Sequence, residues 1–394
     1  MNNYFIFISF IMKNILLLGA TGSIGKSVLS VISENKNKFN LMGISFNSNY
    51  SKAEEIINNF LPKYVYIDDQ DCYVKNTTNN GCTFLNGDSS LEQLIKNTEI
   101  DIIICATSGF AGLKAASIAV TTGKKILLAN KESIVAGGDL IIPLAKKHSS
   151  EIIPIDSEHN AIFQCLSGEN GTDDVQKVII TASGGPFLNS AISDLKNVTL
   201  NQALNHPNWE MGNKVTIDSA TLVNKCLELI EAKYLFNLEE NIFELVVHPQ
   251  SIIHSIVTFK DGSSICQMSS PDMRVPIANG LSDMNRVPIS FEQLDFTSLK
   301  LSFHEFPNDR KKIQDIAREV CNKGSNLGAV FNAANEIAVE SFIKGQINFD
   351  KIYDVIYRTF NENNVSNEVS IESINDIDRH TRIEAKKVVK SISK

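Results

Sequence analysis

The fold turns on Gly19-Ala20-Thr21-Gly22-Ser23-Ile24-Gly25. Before it runs Ile15-Leu16-Leu17-Leu18, a short unbroken apolar segment with the look of a strand buried on both faces. After it, residues 23–32 read as a helix. A glycine turn in that setting offers backbone N–H groups and a helix N-terminus to a pyrophosphate. The spacing, G-x-x-G-x-x-G, is a variant of the usual dinucleotide fingerprint. Alone it is weak, since many glycine turns bind nothing; the strand before and the helix after strengthen it. Gly25-Lys26-Ser27 resembles the end of a P-loop, but the first glycine of that motif would fall on Ala20, which disfavours an NTPase.

Outward from the loop, strand and helix patterns alternate. Strands are expected at 39–45, 64–67, 100–106 and 125–129, with helices at 52–60, 91–97 and 112–120. This rhythm predicts an α/β fold whose N-terminal part, residues 1–150, is a Rossmann-like, doubly wound parallel sheet. Beyond Asp156 the texture becomes α+β. Strands are expected at 178–182, 244–247, 252–259 and 264–268, with an Asp261-Gly262 hairpin turn and a long amphipathic helix over 220–236. Residues 151–287 therefore form the expected catalytic domain, 288–308 a linker, and 309–394 a helical domain with helices at 312–323, 330–344, 349–361 and 371–391. A chain of 394 residues suits two or three such units.

The charge balance, 37 Lys and Arg against 45 Asp and Glu, gives a net charge of −8, which argues against a nucleic-acid binder. It leaves room for an anion held by a few local donors. Seven cysteines without a C-x-x-C pair fit reduced thiols and a cytoplasmic protein rather than a disulfide framework or zinc ribbon. No segment has the ~20 apolar residues of a membrane span. Residues 1–11 lack a basic region and a cleavage site, and read as an upstream start or a dispensable leader.

Several polar constellations stand out. The second strand ends in Ser45-Phe46-Asn47-Ser48-Asn49, with no carboxylate to repel a 2′-phosphate, which favours NADP over NAD. Asn130-Lys131-Glu132 follows another strand end, where side chains point into the crevice of an open sheet; it also fits a capped helix start. The apolar run 152–155 leads into Asp156-Ser157-Glu158, whose carboxylates would share one side of an extended segment and suit a hard divalent cation. An acidic loop with Asp156 capping a helix over 161–166 fits the same residues. On the next long helix Asn224, Lys225 and Glu228 share a face, so Glu228 is a candidate third ligand. That trio also fits a surface ion pair, and Ser219 fits an N-cap. Ser183-Gly184-Gly185-Pro186 permits close backbone approach to a ligand. His206-Pro207-Asn208-Trp209-Glu210-Met211-Gly212 places the single Trp in a polar loop, either as a lid that excludes water or as a surface loop packed on the core. His248 and His254 read as structural.

Taken in order, these motifs, with Ala129-Asn130-Lys131-Glu132-Ser133, Asp156-Ser157-Glu158-His159-Asn160, His248-Pro249-Gln250-Ser251 and Pro271-Asp272-Met273-Arg274, resemble the 1-deoxy-D-xylulose 5-phosphate reductoisomerase family over nearly the whole chain from Met12. The resemblance implies a metal held by Asp156, Glu158 and Glu228, with Mg2+, Mn2+ or Co2+ as the cation. It implies a substrate phosphate held by Ser183, Ser219, Asn224 and Lys225 with His206 nearby, and Ser157 on the substrate hydroxyls. Trp209 matches the lid aromatic. Thr21, Gly22, Ser23 and Ile24 match the pyrophosphate loop of an NADPH site, with Asn47, Asn49, Asn130, Glu132 and Gly212 also beside the cofactor. Lys131 and Glu158 are candidate acid or base. One departure is Ser48, where the family often carries a base. The implied reaction rearranges a small phosphorylated sugar, then reduces it with hydride, in a cytoplasmic homodimer of the non-mevalonate isoprenoid route. Two other classes remain: a plain NADP dehydrogenase and a dinucleotide-binding regulator. Neither needs Asp156, Glu158 and Glu228 together.

Overall fold

The computed structural model describes residues 12–76, 81–169, 171–282, 286–362 and 368–393; the leader expected at 1–11 lies outside them. Seven strands form one parallel sheet: β1 (Lys13–Leu18), β2 (Phe39–Phe46), β3 (Tyr64–Ile67), β4 (Thr83–Leu85), β5 (Ile102–Cys105), β6 (Lys125–Leu128) and β7 (Glu151–Pro154). Their order is β4-β3-β2-β1-β5-β6-β7, so the chain reverses its direction of travel across the sheet between β1 and β5. The connecting helices are α1 (Ser23–Glu34), α2 (Tyr50–Phe60), α3 (Gln70–Asn76), α4 (Asp88–Ile95), α5 (Gly112–Ala119) and α6 (Lys131–His148). The apolar run of β1 feeds two cores because successive strand residues face opposite ways. Leu16 and Leu18 join the core under α5 and α6, while Ile15 and Leu17 join the one under α1 and α2.

The sheet outruns the boundary expected at 150: β7 pairs in register with β6, Glu151 opposite Lys125 through Pro154 opposite Leu128. After β7 come α7 (Ser157–Cys165), β8 (Val175–Ala182), α8 (Leu200–Leu204), α9 (Asn213–Thr221), α10 (Val223–Phe236), β9 (Phe243–Val247), β10 (Ile253–Phe259), β11 (Ser264–Met268) and α11 (Arg274–Leu281). A short strand, β12 (His304–Glu305), lies inside the stretch expected as a linker and pairs with β9. The second sheet runs β11-β10-β8-β9-β12, antiparallel except for the β8–β9 pair. α11 returns to the first sheet, where Ile277, Ala278 and Leu281 enter the α1 core.

The long helix expected over 220–236 is two helices. Leu222 takes a left-handed conformation (φ 63°) between α9 and α10, so Ser219 lies inside α9 and is no N-cap. Nor is α10 amphipathic, being buried almost all round between α6, α9 and α12 (Lys311–Lys323). The chain ends in α13 (Leu327–Ile343), α14 (Lys351–Glu362) and α15 (Ile371–Ile392); α13 packs against α6, α9, α14 and α15.

Candidate active site

A cleft of about 310 Å3 opens where the C-terminal ends of β1 and β5 part and runs to the starts of α7 and α10. Such a reversal point is where open α/β sheets bind their ligands. Gly19 is left-handed (φ 88°), and a Cβ on Gly25 would sit 2.3 Å from the Ala20 carbonyl oxygen, so the loop folds tightly only with glycine there. No side chain caps α1 at Gly22 and its first turn carries no acid, which leaves the positive helix end facing the cleft. Ser23, Ile24 and Ser27 line the cleft, as do Thr107 and Ser108 from the turn after β5. Lys26 is exposed and is not among the lining residues, in keeping with the rejected P-loop.

Some expected cofactor residues stand elsewhere. Asn47 and Asn49 are exposed outside the cleft lining, and Asn49 caps α2. Asn130 is fully buried: its oxygen caps α6 by accepting from Ser133 N, and its amide donates to the Gly109 carbonyl at 2.9 Å. Glu132 does line the cleft.

At the inner end three carboxylates converge. Asp156, Glu158 and Glu228 each offer an oxygen within 4.8 Å of the others. Of the two readings of this segment, the structure has the capped helix: Asp156 caps α7, which starts at Ser157 rather than 161, and Glu158 lies in its first turn. Two lysines balance the cluster. Lys131 pairs with Asp156 and, at 2.9 Å, with Glu228; Lys225 pairs with Glu158 at 2.8 Å and Glu228 at 2.5 Å. Asn224 accepts from Lys131 at 3.0 Å and donates to Glu228 at 2.5 Å. Three carboxylates against two ammonium groups leave one negative charge in a buried place. Burial, then repulsion from Glu158, pushes Glu228 up to about 7 despite the lysines. Burial works against Glu158 too, but Lys225 and Lys131 outweigh it and hold that carboxyl well below its usual range. Burial is likewise overcome at Lys131, where Asp156 and Glu228 hold the ammonium well above its ordinary value.

A second cluster is built from hydroxyls. His206 Nδ1 accepts from the backbone N–H of Asn208 (3.1 Å) and Trp209 (3.0 Å), so its proton sits on Nε2. Nε2 then donates to Ser183 Oγ at 3.0 Å and Ser219 Oγ at 3.1 Å. Burial depresses the His206 pKa to about 4 and keeps the ring neutral. Ser183 and Gly184 line the cleft, while Gly185 fits closely against α9, where a Cβ would lie 2.7 Å from the Ser219 carbonyl oxygen. Ser157 Oγ donates to Glu158 at 2.7 Å. Trp209, Met211 and Gly212 line the same cleft from the 206–212 loop, and His254 packs its ring 5.9 Å from that of Trp209.

Sequence reasoning missed the support behind the carboxylates. Glu231 lies one turn past Glu228, with an oxygen 3.4 Å from His159 Nδ1; His159 Nε2 bonds the Glu228 carbonyl oxygen at 2.9 Å. The i, i+3 spacing of the two glutamates was the available signal. Thr107, Ser108 and Met273 were also missed as lining residues, although Thr107-Ser108 follows a predicted strand end.

Residues 15–138 match the model of 1-deoxy-D-xylulose 5-phosphate reductoisomerase, and residues 152–236 and 268–384 match two models of its C-terminal domains. The chain is 42% identical over 382 residues to 1-deoxy-D-xylulose 5-phosphate reductoisomerase of Ruthia magnifica, covering 96% of this chain and 99% of that protein. It is 42% identical over 386 residues to the protein of the same name from Pelotomaculum thermopropionicum, covering 97% and 100%. Among solved structures, DOX-P reductoisomerase in complex with NADPH, fosmidomycin and magnesium superposes with a TM-score of 0.89 at 35% identity, over 96% of this chain and 98% of that one. The Zymomonas mobilis reductoisomerase in complex with NADPH gives 0.89 at 37%, over 97% and 100%.

Proposed function

The chain belongs to the 1-deoxy-D-xylulose 5-phosphate reductoisomerase family, and from that membership we propose the residue roles that follow. The reaction is the NADPH- and divalent-metal-dependent conversion of 1-deoxy-D-xylulose 5-phosphate to 2-C-methyl-D-erythritol 4-phosphate. Asp156, Glu158 and Glu228 are the metal ligands. The observation that carries this is their convergence with one charge uncompensated, at a site built from hard oxygen donors. That donor set suits Mg2+ or Mn2+, with Co2+ also acceptable. When bound, the cation polarises substrate oxygens as a Lewis acid, and NADPH supplies the hydride.

The protein's own groups do the rest. Ser183, Ser219, Asn224 and Lys225 hold the substrate phosphate, with His206 orienting the two hydroxyls through Nε2–H. Ser157 meets the substrate hydroxyls. Lys131 and Glu158 are the candidate proton donor and acceptor; the ion pairs that hold one protonated and the other ionised must loosen before either moves a proton at neutral pH. Trp209 on the 206–212 loop excludes water from the reacting carbons. Thr21, Gly22, Ser23 and Ile24 take the pyrophosphate at the start of α1. Glu132 and Gly212 complete the cofactor side of the cleft, Asn130 acts from behind it by fixing the turn at Gly109, and Asn47 and Asn49, outside the cleft lining at the end of β2, serve the far end of the cofactor. The N-terminal sheet serves the cofactor, the middle of the chain the metal and substrate, and the last helices support both. A homodimer belongs to the same reading. The exposed apolar side chains of Ile265 on the outer strand β11, and of Phe291 and Phe296, support it. No helix among the described residues is long and apolar enough to cross a membrane, and the seven unbridged cysteines favour a cytoplasmic setting.

Adding 1-deoxy-D-xylulose 5-phosphate to protein, NADPH and Mg2+ or Mn2+ is expected to consume NADPH absorbance; no loss would overturn the assignment. Glu228→Gln is expected to cut turnover on the order of 100-fold or more while NADPH binding persists. Near-normal turnover in that variant would remove Glu228 from the ligand set.

A further inference from the structure

Lys214 belongs to neither the carboxylate cluster nor the hydroxyl cluster, yet its side chain lines the cleft. It is the second residue of α9 and lies two positions beyond Gly212, where the 206–212 loop ends. Its Nζ is 2.7 Å from Glu132 Oε1 and 2.9 Å from Asp218 Oδ2. Glu132 lies in the first turn of α6, just after β6 of the first sheet. Its other oxygen accepts at 3.0 Å from Asn130, which also bonds the Gly109 turn after β5. The second oxygen of Asp218 accepts at 2.9 Å from Asn335 on α13. One ammonium group therefore ties the base of the loop to the cofactor sheet on one side and, through Asp218, to the C-terminal helices on the other.

The burial of the partners sets the stakes. The Glu132 and Asp218 side chains are 6% and 1% exposed, against 22% for Lys214, which sits at the cleft wall. Without the lysine, two desolvated carboxylates would face each other with their bridging charge removed, only Lys131 remaining near Glu132, and the docked arrangement would be weakened. An i, i+4 pair with Asp218 alone would satisfy the helix; the contact to Glu132 is the one that spans the cleft. A ligand that binds only the docked arrangement loses affinity in proportion to the fall in its population.

We propose that Lys214 is a positioning residue for cofactor capture: by bridging Glu132 and Asp218 it docks the base of the 206–212 loop on the cofactor sheet and so sets the affinity for NADPH. This rests on the NADPH-dependent reading above. Trp209 is the only Trp in the chain, so its emission reports on that loop alone. NADPH is titrated into the full-length protein without sugar phosphate, following Trp209 emission, with equilibrium dialysis and a thermal melt alongside. Lys214→Met is expected to weaken NADPH binding about tenfold, ~1.4 kcal/mol, and Lys214→Arg to restore it to within about threefold. The double variant Lys214→Met/Asp218→Asn, which removes one stranded carboxylate, is expected to recover melting temperature but not affinity. Wild-type affinity in Lys214→Met, or affinity that recovers together with melting temperature in the double variant, overturns the inference. If the wild-type protein itself retains no NADPH in dialysis, the cofactor reading fails, and this inference with it.

Discussion

Glu228 carries the heaviest electrostatic load in the site, because burial and Glu158 both oppose its charge while only two lysines favour it. Removing a lysine there would leave an unpaired buried carboxylate, which costs more than a surface ion pair contributes. His206 shows the opposite case, a group kept neutral. Its folded pKa is depressed to about 4, against about 6.5 for an unfolded histidine. Between those values the unfolded chain takes up a proton that the folded chain refuses, so stability falls as pH drops from about 6.5 toward 4. His206→Gln is expected to narrow the gap between the melting temperatures at pH 7 and pH 5. An equal or wider gap would mean that the ring is not held neutral. Both residues were visible as candidates in the sequence. Their pKa values were not, because these arise from neighbours far apart in the chain, such as Glu158 and Glu228.

At the scale of elements, the first half of the chain could be read closely. β1, α1, β2, α2 and β6 fall where apolar runs and glycine turns put them, since a strand buried on both faces needs little more than a continuous apolar segment. α3 and β4 were not foreseen, α3 being short and mostly polar and β4 only three residues long. The larger miss was the break at Leu222. Nothing in the local pattern stops a helix there, and a buried leucine in the left-handed region is held by packing, with an exposure of only 3%. That break turns α9 against α10 and allows Ser219 and Glu228 to face the same cleft from two helices. The glycine loop gives a test at this level. Gly25→Ala forces a Cβ against the Ala20 carbonyl, which costs about 1–3 kcal/mol, so NADPH affinity is expected to fall about tenfold or more. Unchanged binding in a titration would show that the loop does not hold the pyrophosphate.

Across the whole molecule, one core cluster runs from Leu16 and Ile103 in the first sheet through Val178 and Leu245 in the second to Phe331, Phe349 and Val388 in the final helices. The units drawn at 150, 287 and 308 therefore share an interior. Polar contacts follow the same path: Glu336 on α13 accepts from the backbone N–H of Phe110 at 2.9 Å, beside the turn that lines the cleft. Scanning calorimetry is expected to show one main transition, with no separate low-temperature peak for residues 309–394. A distinct early peak that leaves NADPH binding intact would mean that the last helices are only appended.

The parallel sheet, its glycine loop, the helical C-terminus and the polar groups of the carboxylate and hydroxyl clusters could be read from the chain alone. These depend on local periodicity, on glycine and on residue chemistry, all of which can be read a few positions at a time. Folding settled that Asp156 starts a helix rather than ending a strand, that α10 is buried almost all round, and that Lys131 and Lys225 counter the carboxylates. It also decided that Lys214 joins three parts of the chain. Burial and charge pairing are properties of the assembled neighbourhood, and the partners of Lys131 lie 25 and 97 residues away.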